Sequence, residues 1–343
     1  MLFRSLFLDI FNGEISGTPS TVSSATTYTV TASNSGGSAT ATVTILVNDA
    51  APSSVTYSPS SSVLTKGVAM TTVTPTSSGG TVTSWSITPT LSAGLSFDVS
   101  TGAIGGTPTA VSSSTSYTVT ASNAGGSSTA TVIIQVNDVA PYSISYSGNP
   151  FTLTKDSAMT AVTPSASGGS VDSWSISATL PAGLSFDLST GEISGTPTAI
   201  SLSTTYTVTA TNTGGSSTTT VDITVNDVAP SIAYSGSPFT LTKGTAMTTA
   251  APTSSGGTVT TWSVSPTLPA GLSFDTSNGE ISGTPNAITS SATYTITASN
   301  TGGTDTATIT IVVNDALPVI AYSPNSYTLT TGTAMTTATP TSC

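Results

Sequence analysis

The segment Leu180–Thr198 reads LPAGLSFDLSTGEISGTPT, and near copies of it stand at Leu91–Thr109 and Leu268–Asn286. Its Gly-Thr-Pro triplet recurs at steps of 89, 89 and 88 residues, with the prolines at Pro19, Pro108, Pro197 and Pro285. The tryptophans keep the same step, at Trp85, Trp174 and Trp262. The chain is therefore built from a repeat that is too long for a solenoid and long enough for each unit to close its own core.

Recurrent prolines divide the chain into three full repeats and two partial ones. Full repeats are predicted over residues 52–140, 141–229 and 230–317. Residues 1–51 align with the second part of the repeat, and residues 318–343 align with the first part. We therefore expect a truncated piece of a longer gene product. We also expect both partial repeats to be poorly ordered unless they pair with a neighbouring chain.

Apolar residues alternate with polar ones, which predicts half-buried β-strands. In Tyr206–Ala210, YTVTA, the tyrosine, valine and alanine share one face and the threonines share the other. Asn212–Gly215, NTGG, predicts a hairpin, because Asn and Gly accept the positive φ of a tight turn. Within the repeat 141–229, strands are predicted near Ile144–Ser147, Phe151–Thr154, Ala161–Thr163, Val171–Ser177, Leu184–Phe186, Glu192–Ser194, Thr205–Ala210 and Thr218–Val225.

These strands predict an all-β fold in which each repeat is a two-sheet antiparallel sandwich. Because almost no linker separates the repeats, we expect them to form a linear array. No helical pattern is convincing, and no run of 18 apolar residues occurs. The sequence therefore predicts no transmembrane segment in this chain.

The composition lacks the side chains that several functions require. With no His, one Cys and four Lys or Arg residues, the chain has few groups for His-based nucleophilic catalysis, zinc ligation or phosphate binding. Its net charge of −11 repels nucleic acid, which excludes that partner. The sandwich must stand without a disulfide, and no cofactor is expected to be required.

The stretch quoted first is similar to the signature of the putative Ig, or dystroglycan-type cadherin-like, domains that occur in tandem in bacterial surface proteins. The resemblance extends over essentially the whole chain as repeats. It implies an Ig-like or cadherin-like sandwich of the kind used in extracellular stalks and adhesins. The implied location is extracellular or at the cell surface, and no ligand is specified.

Two recurrent residue types have a structural and a functional interpretation. A tryptophan at each repeat either packs between the sheets or stacks on a sugar, and the flanking alternation favours the core. The aspartate of each Phe-Asp (FD) pair either accepts turn N–H groups or ligates a metal, and the following S/T-x-G turn favours capping. The residues concerned are Trp85, Trp174, Trp262, Asp98, Asp187 and Asp275, with Asp9 equivalent.

The repeat boundaries raise the question of calcium. The run VNDVAP resembles the cadherin linker, in which Asp and Asn oxygens chelate calcium between domains. This resemblance implies an interdomain calcium site with the candidate ligands Asn137, Asp138, Asn226 and Asp227. Calcium takes six to eight oxygens, yet other acidic positions of the cadherin pattern are occupied here by residues such as Gln135 and Thr224. A polar, stiff linker without metal is the alternative.

Two further chemical interpretations are weaker. Asp187 and Glu192 form the nearest approach to a catalytic carboxylate pair, but Ala103 replaces the glutamate in another copy. Lys155 and Asn226 suggest an intramolecular isopeptide bond, but the lysine lies in a Gly-containing turn and becomes a threonine in the last copy. Neither interpretation is supported across the repeats.

Three functions from different classes remain open. The first is a non-enzymatic spacer or stalk of a surface adhesin or secreted protein, with neighbouring repeats as its partners. The second is an array of calcium- or carbohydrate-binding modules, which predicts exposed aromatic residues and cell-surface or carbohydrate ligands. The third is a set of accessory domains of a secreted hydrolase whose catalytic domain lies outside this chain. The inward positions of most aromatic residues favour the spacer.

Overall fold

The computed structural model describes residues 5–342, and its regular structure consists of β-strands. The prediction of an all-β fold is confirmed. Within residues 5–342 there is also no helix with the length and apolar character needed to cross a bilayer.

The strands are named here segment by segment, with the segments predicted from the sequence. The first 51 residues contain β1 (Leu6–Leu8), β2 (Ile15–Gly17), β3 (Ser23–Asn34) and β4 (Gly37–Val47). The next segment, 52–140, contains β5 (Pro52–Tyr57), β6 (Ser61–Thr65), β7 (Pro75–Gly79), β8 (Ser84–Thr88), β9 (Leu95–Phe97), β10 (Ile104–Gly106), β11 (Ser112–Asn123) and β12 (Gly126–Asn137).

The same order returns twice more. Residues 141–229 contain β13 (Tyr142–Ser145), β14 (Phe151–Thr154), β15 (Met159–Val162), β16 (Ser165–Ser167), β17 (Ser173–Ile176), β18 (Leu184–Phe186), β19 (Ile193–Gly195), β20 (Ser201–Asn212) and β21 (Gly215–Asn226). Residues 230–317 contain β22 (Ser231–Tyr234), β23 (Phe239–Thr242), β24 (Pro252–Ser255), β25 (Thr261–Ser265), β26 (Leu272–Phe274), β27 (Ile281–Gly283), β28 (Thr289–Asn300) and β29 (Gly303–Asn314). The last segment contains β30 (Ile320–Ala321) and β31 (Thr341–Ser342).

Each full repeat has one four-stranded sheet. Its strand order is β6-β12-β11-β8 in the first full repeat, β14-β21-β20-β17 in the second and β23-β29-β28-β25 in the third. The two long central strands are antiparallel, but the edge strand β6 runs parallel to β12, as β14 does to β21 and β23 to β29. Alternation of apolar residues is the same in parallel and antiparallel strands, so the sequence did not reveal this one parallel pair.

Shorter strands form the opposite layer. In the first full repeat these are the pairs β5-β7 and β10-β9, with a bridge between Val73 and Ile104. The second repeat has β13-β16 and the three-stranded β15-β19-β18, and the third has β22-β24 and β26-β27. The two layers enclose a core that the long strands supply with residues such as Val119, Ile134 and Ile309.

The tryptophans belong to this core. Trp85, Trp174 and Trp262 are all buried, and Trp85 and Trp262 pack with the buried residues of the long strands. A Cβ at Gly102 would lie 2.7 Å from the Trp85 ring, so the neighbouring turn approaches the indole closely. The prediction of a core role over sugar stacking is confirmed for these residues.

Strands lie at the places predicted within residues 141–229, although several of them begin or end a few residues away from the predicted bounds. Phe151–Thr154 and Leu184–Phe186 are strands as predicted, and a two-residue turn joins β20 to β21 at the predicted hairpin. Strand β20 begins at Ser201, four residues before the predicted start, and the short β16 was not predicted. Both stretches are rich in Ser and lack apolar alternation, because they are exposed on both faces.

Backbone packing divides the chain into two compact units. One contains residues up to Ile144 with 165–174 and 209–218, and the other contains 145–164, 175–208 and the residues from Thr219 onward. This division passes through the segment 141–229, whereas its strand pairs join strands of the same segment. The repeat boundaries therefore stay predictions, and the contacts of each junction lie within one unit.

Candidate functional site: the junctions between repeats

The predicted calcium ligands lie where a long strand ends. Asn137 is the last residue of β12 and Asn226 is the last residue of β21, so Asp138 and Asp227 are the first residues of the links that follow. The main-chain carbonyl of Asn137 accepts a hydrogen bond from Lys66 N at 2.9 Å, and its side-chain Oδ1 accepts from Gln135 Nε2 at 2.7 Å. The asparagines thus belong to the end of the sheet.

Asp138 is buried and its polar groups have protein partners. Its Oδ1 accepts from Val139 N at 2.9 Å and lies 3.8 Å from Lys66 Nζ. Its backbone N–H donates to Thr213 Oγ1 at 2.9 Å. The carboxylate therefore stabilises the start of the link and faces a cation from the protein itself.

Asp227 is partly buried and repeats two of the hydrogen bonds of Asp138. Its Oδ1 accepts from Val228 N at 2.9 Å, and its N–H donates to Thr301 Oγ1 at 2.9 Å. Its second oxygen, Oδ2, accepts from Thr258 N at 3.1 Å. At both junctions the Asp therefore connects the link to the hairpin or Gly-Gly segment of the following repeat.

The hairpin asparagine makes the most specific contact with the link. Asn212 Nδ2 donates to the carbonyls of Val139 at 2.8 Å and Ser170 at 3.0 Å, while its Oδ1 accepts from Gly214 N at 2.8 Å. Asn123 and Asn300 make equivalent bonds to their own links. Sequence reasoning assigned this residue only to the turn, although its recurrence in every hairpin was a signal of a second role.

Two glycines let the link lie against the next repeat. A Cβ at Gly214 would lie 2.1 Å from the Asp138 carbonyl oxygen, and one at Gly169 would lie 2.4 Å from Asp138 Cγ. No side chain fits at such distances, so the glycines are needed for contact rather than for turn geometry alone. This function of the Gly-Gly pairs was not predicted either.

The first junction differs from the second in one residue of the hairpin turn. Asn123 Nδ2 donates to Ala50 O at 2.7 Å and to Thr81 O at 3.2 Å, as Asn212 does to Val139 O and Ser170 O. Position 124 is alanine where the second junction has Thr213, so the hydroxyl that accepts from the N–H of Asp138 has no counterpart at that position. The asparagine and glycine contacts are therefore the shared part of all three junctions.

Residues 5–342 contain no group of three or more His, Cys, Asp or Glu side chains that could hold a metal ion. The calcium site at Asn137, Asp138, Asn226 and Asp227 stays a prediction. Its oxygens make the protein hydrogen bonds described above, which a polar link without metal would also make.

The aspartates of the FD pairs cap turns, as the sequence predicted. Asp98 Oδ1 accepts from Ser100 Oγ at 2.5 Å, from Ser100 N at 2.8 Å and from Thr101 N at 3.3 Å. The hydrogen bonds from Ser100 lower the pKa of Asp98 to about 2. Asp187 and Asp275 have the same partners from Ser189 and Ser277, which lower the pKa of each. These carboxylates favour the ionised form, which does not suit a general acid.

The sequence matches the model of the Putative Ig domain family four times, over residues 4–48, 52–137, 132–226 and 223–314. The "Serine-rich adhesin for platelets" of Staphylococcus aureus strain MRSA252 is 34% identical over 179 residues, covering 48% of this chain and 12% of that protein. The protein of the same name from strain MW2 is 34% identical over 179 residues, covering 48% of this chain and 7% of that protein. The match thus spans a small part of either relative.

Solved structures with several Ig domains are also similar. Domains 3–5 of the Drosophila OTK extracellular region align with a TM-score of 0.36 and 17% identity, covering 74% of this chain and 94% of that chain. The titin I-band fragment I67–I69 aligns with a TM-score of 0.37 and 14% identity, covering 79% and 97%. The assignment itself rests on the four sequence matches. The chain belongs to the Putative Ig domain family.

Proposed function

We propose that the chain is a non-enzymatic spacer of a surface adhesin or other secreted protein, a series of Ig-like repeats that holds another part of that protein away from its anchor. One observation carries the proposal. The hairpin asparagine of a repeat binds the link that enters it, as Asn212 does with the carbonyls of Val139 and Ser170.

A spacer needs links that resist bending, and these links have few free residues. Between the end of β12 at Asn137 and the start of β13 at Tyr142 there are four residues, and Asp138 and Val139 are held by Thr213 and Asn212. A flexible linker would leave these backbone groups to water. The bonds and the glycine contacts both favour a restricted angle between the link and the repeat that follows it.

The surface location is part of the same proposal. The relatives from Staphylococcus aureus are adhesins by name, and this chain aligns with only a small part of each. A spacing role for this part, with ligand binding elsewhere, agrees with that proportion.

A carbohydrate-binding array is the second candidate. Sugar-binding surfaces present aromatic rings to solvent. Within residues 52–317, Tyr142 is the one aromatic side chain that is more than half exposed. A single exposed ring among three repeats gives little stacking surface, which favours the spacer.

The spacer is tested by placing the full chain between a membrane anchor and a fluorescent binding module on a cell, and measuring the height of the module. Removing residues 141–229 should lower the module by the length of one repeat, about 40 Å for strands of 12 residues. Replacing them with a Gly/Ser linker of equal residue number serves as control for stiffness, because such a linker has a similar mean span of about 50 Å but should give a much broader spread of heights. If the deletion leaves the height unchanged, or if the linker and the repeat give the same spread of heights, the spacer proposal is wrong.

A second measurement addresses the adhesive alternative. The full chain alone, coated on beads, is applied to a panel of immobilised glycans and to host cells. A spacer gives no saturable binding. Saturable binding that is lost in Tyr142→Ala would favour a carbohydrate-binding function instead.

A further inference from the structure

Strand β6 lies at an edge of its four-stranded sheet, with one side open. In the described part of the chain its one neighbour in the sheet is β12. The Ser60 C=O accepts a hydrogen bond from Ile133 N at 2.8 Å, so the main-chain groups of alternate residues, counted from Ser60, face β12. The main-chain groups of the residues between them therefore face away from β12. These residues are Ser61, Val63 and Thr65.

An open groove lies beside this edge. Its volume is about 420 Å³, and its walls are β6 and residues 70–73, which lie at the edge of the opposite layer. Residues 70–73 are held from their other side, because Met70 N donates to Gly106 O at 2.9 Å and Val73 is bridged to Ile104. The space beside β6 is therefore open to a further strand.

The other two full repeats have a proline at this edge, and the repeat 52–140 does not. Ser62 pairs with the long strand as Phe151 and Phe239 do in the later repeats, which aligns Ser61 with the two prolines that precede them, Pro150 and Pro238. A proline has no N–H to donate to a new strand, and prolines at sheet edges oppose edge-to-edge association. Strand β6 lacks this protection.

The outer face beside this edge is also apolar in the repeat 52–140. Val63 is 67% exposed, and Ile133, which lies diagonally next to it on β12, is 39% exposed. Their counterparts in the other full repeats are polar, namely Thr152, Asp222, Thr240 and Thr310. Strand β6 itself, SSVLT, carries no charge. An uncharged edge with exposed apolar side chains favours pairing with another strand.

We propose that β6 of one copy of this chain pairs antiparallel with β6 of a second copy, centred on Val63, so that two four-stranded sheets join. In this register Val63 opposes Val63 of the second copy, and the two residues exchange both main-chain hydrogen bonds. Ser61 opposes Thr65 on either side. The Thr65 carbonyl, which accepts from Val68 N at 3.1 Å, has a second lone pair for the Ser61 N–H.

The side chains favour a second copy over an unrelated strand. Residues that exchange both hydrogen bonds in an antiparallel pair have Cα atoms about 5.5 Å apart, so the two Val63 side chains meet on the outer face. Ile133 of each copy extends this apolar contact. Lys66 opposes Ser60 of the second copy, so the contact brings no like charges together.

The contact is two-fold symmetric and therefore closed. Both copies use the same edge, so no β6 edge is left once two copies have joined. The association stops at the dimer. It does not depend on the spacer function, because it requires only one edge of one repeat.

Sedimentation velocity of the full chain, from about 1 to 200 µM, tests this proposal. Val63→Lys and Val63→Asp each place two like charges opposite one another at the centre of the contact. Because Val63 is exposed in the single chain, neither change disturbs its folding. Thr152→Lys and Thr240→Lys are matched controls, since these threonines hold the position of Val63 in the other full repeats.

The wild type and both control variants should form dimers. Val63→Lys or Val63→Asp alone should dimerise at least about tenfold more weakly, because like charges oppose each other across the contact. An equimolar mixture of the two variants should dimerise again, since the lysine of one copy faces the aspartate of the other. Hydrogen exchange in the wild-type dimer should slow in peptides of β6 and stay unchanged in peptides of β14 and β23.

Three results would each overturn the proposal. The first is a wild type that stays monomeric at every concentration, which would leave this edge to some other strand. The second is a mixture of Val63→Lys and Val63→Asp that stays monomeric. The third is a dimer in which the amides of β6 exchange as fast as in the monomer, because the contact would then lie elsewhere.

Discussion

The hairpins β3–β4 and β11–β12 have nearly the same sequence and the same pairing register, yet only one of them belongs to a core. Tyr28 pairs with Val43 as Tyr117 pairs with Val132, and both hairpins have a register shift near their start. The side chains differ in burial, since Ile134 is 1% exposed while Ile45 is only partly buried. Local sequence is therefore enough to form the hairpin, whereas burial depends on strands from the first part of a repeat.

The largest loss of stability is expected from substitutions at positions where the two hairpins differ most in burial. Ile134→Ala should destabilise its repeat by about 2 to 5 kcal/mol, because it leaves a cavity in a packed core. Ile45→Ala should lower the free energy of unfolding by well under half as much. Hydrogen exchange of the full chain, followed by mass spectrometry on peptides of β11–β12 and β3–β4, measures each effect locally. Equal losses at the two sites would show that the β3–β4 face is covered in the free chain.

The next effect concerns the hairpin glycine. A Cβ at Gly125 would lie 1.9 Å from the Asp49 carbonyl oxygen, while one at Gly36 meets only the side chain of Asn34, at 3.3 Å. Gly125→Ala should therefore push the link away and destabilise the repeat by about 1 to 3 kcal/mol. Gly36→Ala should change stability by less than about 0.5 kcal/mol. Denaturant unfolding of the full chain compares the two variants, and a harmless Gly125→Ala would contradict the close contact.

A smaller effect is expected at the hairpin asparagine. Asn123 and Asn34 both accept a hydrogen bond from the glycine two residues later, but Asn123 also donates to the Ala50 carbonyl of the link. Asn123→Ala should cost about 1 to 2 kcal/mol, because it leaves that carbonyl without its donor. Asn34→Ala loses only the turn bond. The difference between the two variants in hydrogen exchange measures the two carbonyl contacts of Asn123 together, to Ala50 in the link and to Thr81.

Alkaline pH should destabilise the repeat that buries Tyr57. Burial raises the pKa of Tyr57 from 10.0 to about 12. The folded repeat keeps a proton that the unfolded chain releases, so the stability from this group is intact below pH 10 and is lost as pH rises from about 10 to about 12. Tyr57→Phe should flatten this decline for its repeat. Thermal unfolding of the wild type and of this variant from pH 8 to 12 tests the prediction.

Calcium is expected to have the smallest effect. The polar groups of Asp138 already bind Val139 N, Thr213 Oγ1 and Lys66 Nζ, so an added cation gains little there. The melting temperature of the full chain should change by no more than about 1 °C between millimolar calcium and chelator. A large rise in calcium that Asp138→Ala abolishes would establish the predicted calcium site at this junction.

The fold could be predicted from the sequence because the patterns that indicate it are local and recur in each repeat. Alternation in Tyr206–Ala210 placed the strand, NTGG at Asn212–Gly215 placed the turn, and the recurrence of tryptophan pointed to a core. The parallel pairing of β6 with β12 could not be predicted, because the alternation of apolar and polar residues in a strand is the same for parallel and antiparallel pairing. The sequence also assigned Asn212 to its own turn only, because the partner Val139 lies 73 residues away.

The sequence alone thus determined where the strands lie along the chain, where the hairpin turns form and which aspartates cap turns. Each of these features depends on residues within a few positions of one another. The tertiary structure alone decided which apolar faces are buried and how Asn212, Gly169 and Gly214 hold the link. Both depend on distances between distant parts of the chain, which no local pattern encodes. For the same reason, the equal alternation in β3–β4 and β11–β12 leads to one uncovered face and one closed core.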